Sequence, residues 1–203
     1  MKRNHLKWII LSLLFLTMAV NAAGDPKTGA NKAQVCTACH GAQGISVNPE
    51  WPNLAGQHTA YLIKELHDFK QGTTRNAPTM TPMTTSLTDE DIENIAAYFS
   101  QKQCAPGNIS KSHVTRGETL YRNGDREKHI TACIACHGPD AKGNAQAGFP
   151  MLSSQQSAYT IQQLLAFKSG QRKNDIGSIM QNISSHMTNE DMEAVAHYLA
   201  GSY

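Results

Sequence analysis

The chain has 203 residues, 40 % of them hydrophobic, which is ordinary for a soluble globular protein of one large or two small domains. The formal net charge is only +2, and no basic stretch suggests a nucleic-acid partner.

The first predicted element does not belong to the fold. Lys2, Arg3 and Lys7 precede an apolar run from Trp8 to Val20, and Val20-Asn21-Ala22 resembles a small-residue cleavage site. Residues 1–22 therefore read as a secretory signal, with the mature chain starting at Ala23. Thirteen residues, at about 1.5 Å rise each, fall short of a hydrocarbon core of about 30 Å, which disfavours a retained anchor. The signal holds three of the 18 Lys and Arg and no acid, leaving 15 bases against 16 acids in the mature chain.

A short helix from about Pro26 to Val35 leads into Cys36-Thr37-Ala38-Cys39-His40-Gly41. Cys-x-x-Cys-His is the haem attachment signature. Two thiols one helical turn apart suit thioethers to the two vinyl groups on one edge of a porphyrin, and the next residue, His40, is carried under the ring to bind iron. A redox dithiol needs no His immediately after it. A zinc site needs four ligands, which two such motifs could supply between them. Haem is preferred because Cys133-Ile134-Ala135-Cys136-His137-Gly138 repeats the arrangement at the same place in a duplicated segment.

Beyond the first motif a loop rich in Gly, Asn and Pro runs from Gly41 to Leu54. A helix follows near Thr59 to Gln71, with Tyr61, Leu62, Leu66 and Phe69 on one face. An irregular segment carries Met80. The last helix, about Asp89 to Ser100, opens with Thr88 as N-cap and Asp89, Glu90 and Asp91 against the helix dipole. Its apolar face is Ile92, Ile95, Ala96 and Phe99.

The remainder is a second copy. Cys36 and His40 map onto Cys133 and His137 at an offset of 97. Pro52, Leu54, Gln57, Tyr61, Phe69 and Gly72 map onto Pro150, Leu152, Gln155, Tyr159, Phe167 and Gly170 at 98. Met80, Thr88, Asp91, Ala96 and Tyr98 map onto Met180, Thr188, Asp191, Ala196 and Tyr198 at 100. The result is an all-α chain of two domains, 23–107 and 108–203, with a linker at about 101–113 and one haem in each. About nine extra residues precede Cys133, around Asn123 to His129. Domains this small bury little core alone, and a covalently held haem supplies the missing apolar body. Cys104, outside both motifs, reads as a free or capped surface thiol in the linker.

The sixth iron ligand separates electron passage from small-molecule activation. Met80 and Met180 occupy equivalent places and are the expected axial ligands opposite His40 and His137. Met83 faces Ile183 in the repeat, while His58, His67, His113, His129, His186 and His197 fall at unmatched positions. Pro52 and Pro150 lie 12 and 13 residues after the proximal His. A carbonyl there could hold the imidazole N–H, or the proline could simply stiffen the loop.

Each half, with Gly29 or Gly117 on its first helix, Cys-x-x-Cys-His, the loop Pro, the distal Met and Ala-Tyr on the last helix, resembles a class I cytochrome c. The pair resembles the dihaem cytochrome c4 family over the whole mature chain. The resemblance implies two covalently bound haem c groups, Pro52 and Pro150 carbonyls on the proximal histidines, and close helix crossings at Gly29 with Tyr98 and Gly117 with Tyr198. It also implies a non-enzymatic carrier in the bacterial periplasm, loosely membrane-associated, moving electrons from a quinol-oxidising complex towards a terminal oxidase. The competing reading is a dihaem oxidoreductase, a peroxidase or a sulfur-compound dehydrogenase, with one open haem position.

Overall fold

The computed structural model describes residues 24–104 and 111–201, so the expected signal 1–22 and the expected boundary at 107/108 lie outside the described residues. The first half contains α1 (Pro26–Lys32), α2 (Gln34–His40), α3 (Thr59–Gln71), α4 (Thr81–Thr84) and α5 (Asp89–Ser100). The second contains α6 (Lys111–Asn123), α7 (Ile134–His137), α8 (Ser157–Ser169), α9 (Ile179–Ser185) and α10 (Asn189–Ala200). No strand occurs among the described residues, only isolated bridges. The fold is all-α.

The caps explain the sharpest boundaries. Thr88 and Thr188 each accept the N–H of Asp91 or Asp191, whose carboxylate accepts the cap residue's own N–H in return. At the other end of α3 and α8, Gly72 and Gly170 turn left-handed and stop the helix. One expected helix is two. Asp25 caps α1 by accepting from the Lys27 and Thr28 amides, and the chain re-starts at Gln34 after Ala33 (ψ −4°), so the first motif has a helix of its own. α6 begins at Lys111, inside the range of about 101–113 expected for the linker.

In each half the first helix crosses the last: α1 on α5, α6 on α10. Glycine makes the crossing possible. A Cβ on Gly29 would stand 1.9 Å from the Asn94 carbonyl oxygen and 3.0 Å from Tyr98 Cβ. On Gly117 it would stand 2.1 Å from the Ala194 oxygen and 2.7 Å from Tyr198 Cβ. The pairs implied by the resemblance are therefore those that touch. Ala33, Leu62, Ile95, Ala96 and Phe99 form the first core. Leu120, Tyr121, Ile130, Leu164, Met187, Met192, Val195 and Leu199 belong to the second, larger one.

The extra residues before Cys133 have their own anchorage. They close through paired Asp125 and Ile130 backbones. Arg116 bridges Asp125 and the buried Asp191, and Lys128 reaches Asp191 as well. That ion cluster ties the insertion to the first turn of α10.

Candidate haem sites

Each motif sits where local structure converges its side chains. Cys36, Cys39 and His40 share α2, at spacings of three and four that bring side chains to one face. Cys133 is the residue from which α7 departs, and His137 is in its last turn. The first thiol of each pair is turned inward. Cys36 packs on the first core and Cys133 on the second. Burial pushes both thiols up in pKa, Cys133 to about 11. Cys39 is exposed and Cys136 half-buried.

The two histidines are set identically. His40 Nδ1 lies 2.9 Å from the Pro52 carbonyl oxygen, and His137 Nδ1 lies 2.9 Å from that of Pro150. A carbonyl oxygen can only accept, so Nδ1 carries the proton and the lone pair is left at Nε2. Both rings are buried, with 6 % and 5 % exposure. Burial lowers their pKa below the ordinary histidine value, against the opposing pull of the proline carbonyl, so the neutral ring is favoured. A neutral imidazole with a fixed tautomer and a free Nε2 is the form that ligates a metal, and with two thiols one turn away this donor set fits a covalently attached haem.

The methionines differ in setting. Met180, in the first turn of α9, packs against the same core as Cys133. Met80 stands half-buried at the head of α4, where its carbonyl accepts from Thr84. Met83 is 41 % exposed, and Met187 and Met192 are core residues, as their positions in the repeat suggest.

The region between the domains is what sequence reasoning passed over. Gln57 accepts the Met151 N–H and donates to the Met151 carbonyl. Gln155 does the same with Asn53, the residue equivalent to Met151. Arg75 donates to Tyr159 and Arg172 to Tyr61, each at 2.8 Å. Each arginine also stacks on a phenylalanine of its own half, Arg75 on Phe69 and Arg172 on Phe167. The two domains thus meet through equivalent patches related by a pseudo-two-fold axis, as in an isologous dimer. Cys104 also lies here. It is half-buried, with its sulfur 3.5 Å from Asn53 Nδ2 and 3.5 Å from the Ser154 carbonyl oxygen, rather than on an open linker surface.

Two Cys-x-x-Cys-His segments in a duplicated helical frame define a dihaem c-type cytochrome of two tandem class I domains, each with one covalently bound haem c. The family model for cytochrome c matches residues 27–103 and again 114–202. Cytochrome c4 of Stutzerimonas stutzeri is 41 % identical over 205 residues, spanning 95 % of this chain and 98 % of that protein. The crystal structure of reduced recombinant cytochrome c4 from Pseudomonas stutzeri superposes with a TM-score of 0.86 at 41 % identity, covering 89 % of this chain and 100 % of that one. The thiosulfate dehydrogenase electron acceptor of Stutzerimonas stutzeri strain A1501 is 36 % identical over 210 residues, spanning 98 % of this chain and 96 % of that protein. The chain belongs to the cytochrome c4 family.

Proposed function

We propose that this cytochrome carries electrons in the periplasm from a quinol-oxidising complex to a terminal oxidase. Cys36, Cys39, Cys133 and Cys136 hold the haems covalently, and each iron has a histidine and a methionine ligand: His40 with Met80, His137 with Met180. The observation that carries the reading is the equivalence of the two ligand sets. Both histidines are fixed by a proline carbonyl at the same distance, and both methionines fall at one offset in the repeat.

When bound, each haem supplies an iron that takes up and returns one electron. The Pro52 and Pro150 carbonyls keep the imidazole proton on Nδ1 and the ring in one orientation, so ligation survives the change of charge. The Met80 and Met180 thioethers would each be offered to the iron as its second protein ligand and would keep substrates off it. Burial of both histidines excludes water from the ligand side. No side chain is assigned an acid–base or nucleophilic role. The N-terminal segment 1–22 serves for export, and the domains divide at 107/108.

The 36 % identity to a thiosulfate dehydrogenase electron acceptor favours a second donor, a sulfur-compound dehydrogenase passing electrons to the same two haems. Stopped-flow mixing of the oxidised holoprotein with each class of donor, followed by a terminal oxidase, tests the route. Reduction by the quinol-oxidising complex and reoxidation by the oxidase are expected. Failure of both steps would reject the respiratory assignment.

A further inference from the structure

The domain interface obeys its pseudo-two-fold axis in Gln57/Gln155, Tyr61/Tyr159 and Arg75/Arg172, and departs from it in charge at Asp68, whose equivalent is Ala166, and, beside the arginines, at Glu65, whose equivalent is Gln163. Glu65 and Gln163 each face both arginines. The Glu65 carboxylate accepts from Arg75 Nη1 and, at 3.1 Å, from Arg172 Nη2. Gln163 Oε1 accepts from Arg75 Nη2 at 3.2 Å and Arg172 Nη1 at 3.0 Å. The four residues close a square across the interface with a single carboxylate in it. Asn174 forks onto the same carboxylate, 3.0 and 2.9 Å from its two oxygens, and onto Asp68 at 2.7 Å.

We propose that Glu65 is a positioning residue for electron passage between the domains: its carboxylate, shared by an arginine from each, holds them in one mutual orientation. The proposal rests on the two-haem carrier reading above. Passage between two bound haems depends on their separation and relative orientation, which the docking of the domains sets. Several contacts cross the interface, but they are not equal. The glutamine–backbone pairs are neutral, and water replaces them at modest cost. Arg75 and Arg172 are 7 % and 6 % exposed. Guanidiniums at that depth, deprived of their carboxylate, cannot be left in place, because an uncompensated buried charge is far worse than a lost neutral hydrogen bond. They regain water only if the domains part.

The square also predicts a rescue. Position 163 faces the same two arginines from the other side of the axis, so a carboxylate moved there meets the same charges. The test compares the wild-type holoprotein with Glu65→Gln and the exchanged double variant Glu65→Gln/Gln163→Glu. The readouts are the rate of intramolecular electron equilibration after substoichiometric flash reduction and the small-angle scattering profile. If the docked orientation falls to a tenth of the population, equilibration in Glu65→Gln slows about tenfold, with an enlarged radius of gyration, and the exchange restores the wild-type rate to within about twofold.

A wild-type rate in Glu65→Gln overturns the proposal. So does an exchanged variant that holds both haems yet stays slow. Should Glu65→Gln not yield holoprotein, the Tyr61→Phe/Tyr159→Phe pair removes the hydroxyl partners of Arg172 and Arg75 without baring a charge. It is expected to slow equilibration about threefold, and an unchanged rate overturns the proposal. Absence of methionine ligation in the wild type would contradict the ligand assignment alone, since the scattering comparison still decides the docking role.

Discussion

Alanine at the two helix crossings sets a steric penalty against a conformational gain. In Gly117→Ala the new methyl would stand 2.1 Å from the Ala194 carbonyl oxygen and 2.7 Å from Tyr198 Cβ, where ordinary contact begins at 3.4 Å. Relief requires α6 to move from α10 by about 1 Å, and overpacking of this kind costs about 1–3 kcal/mol. Glycine inside a helix is itself about 1 kcal/mol worse than alanine, so the change also recovers that amount. The obstacle is backbone, which cannot swing aside as a long side chain would, so the steric side should win. A backbone obstacle puts the steric cost in the upper part of that range, about 2–3 kcal/mol, so after the recovered 1 we expect a net loss of about 1–2 kcal/mol, and the same for Gly29→Ala, whose methyl would meet the Asn94 oxygen at 1.9 Å. Urea unfolding of the holoprotein, followed by far-ultraviolet circular dichroism, measures it: with a slope of about 2 kcal/mol per molar, the midpoint falls by about 0.5–1 M. A midpoint unchanged or raised would refute the close crossing.

Acid should loosen the domain interface before it unfolds the domains. Burial alone would raise the Glu65 pKa, but Arg75 and then Arg172, with Lys64 and Asn174, hold it down from 4.5 to about 2; Asp68, Tyr61 and Tyr159 complete its surroundings. Arg75 and Lys64 belong to Glu65's own domain, so docking claims only the share of this depression that Arg172 and Asn174 supply; that share is present in full above about pH 4.5 and is lost as pH falls towards 2. Scattering across this window should show the wild type separating as pH falls while Glu65→Gln, already parted, stays unchanged, and a wild-type profile flat across the window would contradict the assignment. Cys104→Ser should leave haem content and electron transfer unchanged, because the residue lies outside both attachment motifs and a serine can keep its hydrogen bonds to Asn53 and Ser154; loss of a haem on denaturing gels stained for haem would contradict this. Residues 23–107 carry six bases against eight acids and residues 108–203 nine against eight. The N-terminal haem should therefore have the lower potential, by about tens of millivolts given screening over about 10 Å. A potentiometric titration that gives the opposite order would show that net charge does not set it.

What was legible in the sequence is what is local or repeated. Thr88 and Thr188 announce their helices because capping needs only four consecutive residues, and α3 and α5 occupy the ranges their patterns predict. The ligand candidates were separable because duplication places Met80 with Met180 and leaves Met83 unmatched. The break at Ala33 was hidden, since neither Gly nor Pro marks it. Glu65 was hidden for a different reason. Between Lys64 and Asp68 it reads as one charge of a solvated helix face, and Arg172, the cross-domain partner that buries it, lies 107 residues away. Tyr61 counted as apolar surface although its hydroxyl is where Arg172 ends. A signal was nonetheless present: Gln57/Gln155 and Tyr61/Tyr159 are polar identities kept across the repeat. A polar residue needed at one place in both halves, with no part in haem attachment, suits a surface where the halves meet.

The central claim is that each iron has a histidine and a methionine ligand and therefore passes electrons without binding substrate. The ferric near-infrared spectrum tests it most directly, through the far-red sulfur-to-iron charge-transfer band that methionine ligation produces. The wild type should show this band at full intensity for both haems. Met80→Ala and Met180→Ala should each remove half of it, and Met83→Ala none. A band worth one haem in the wild type, or one abolished by Met83→Ala and untouched by Met80→Ala, would contradict the account.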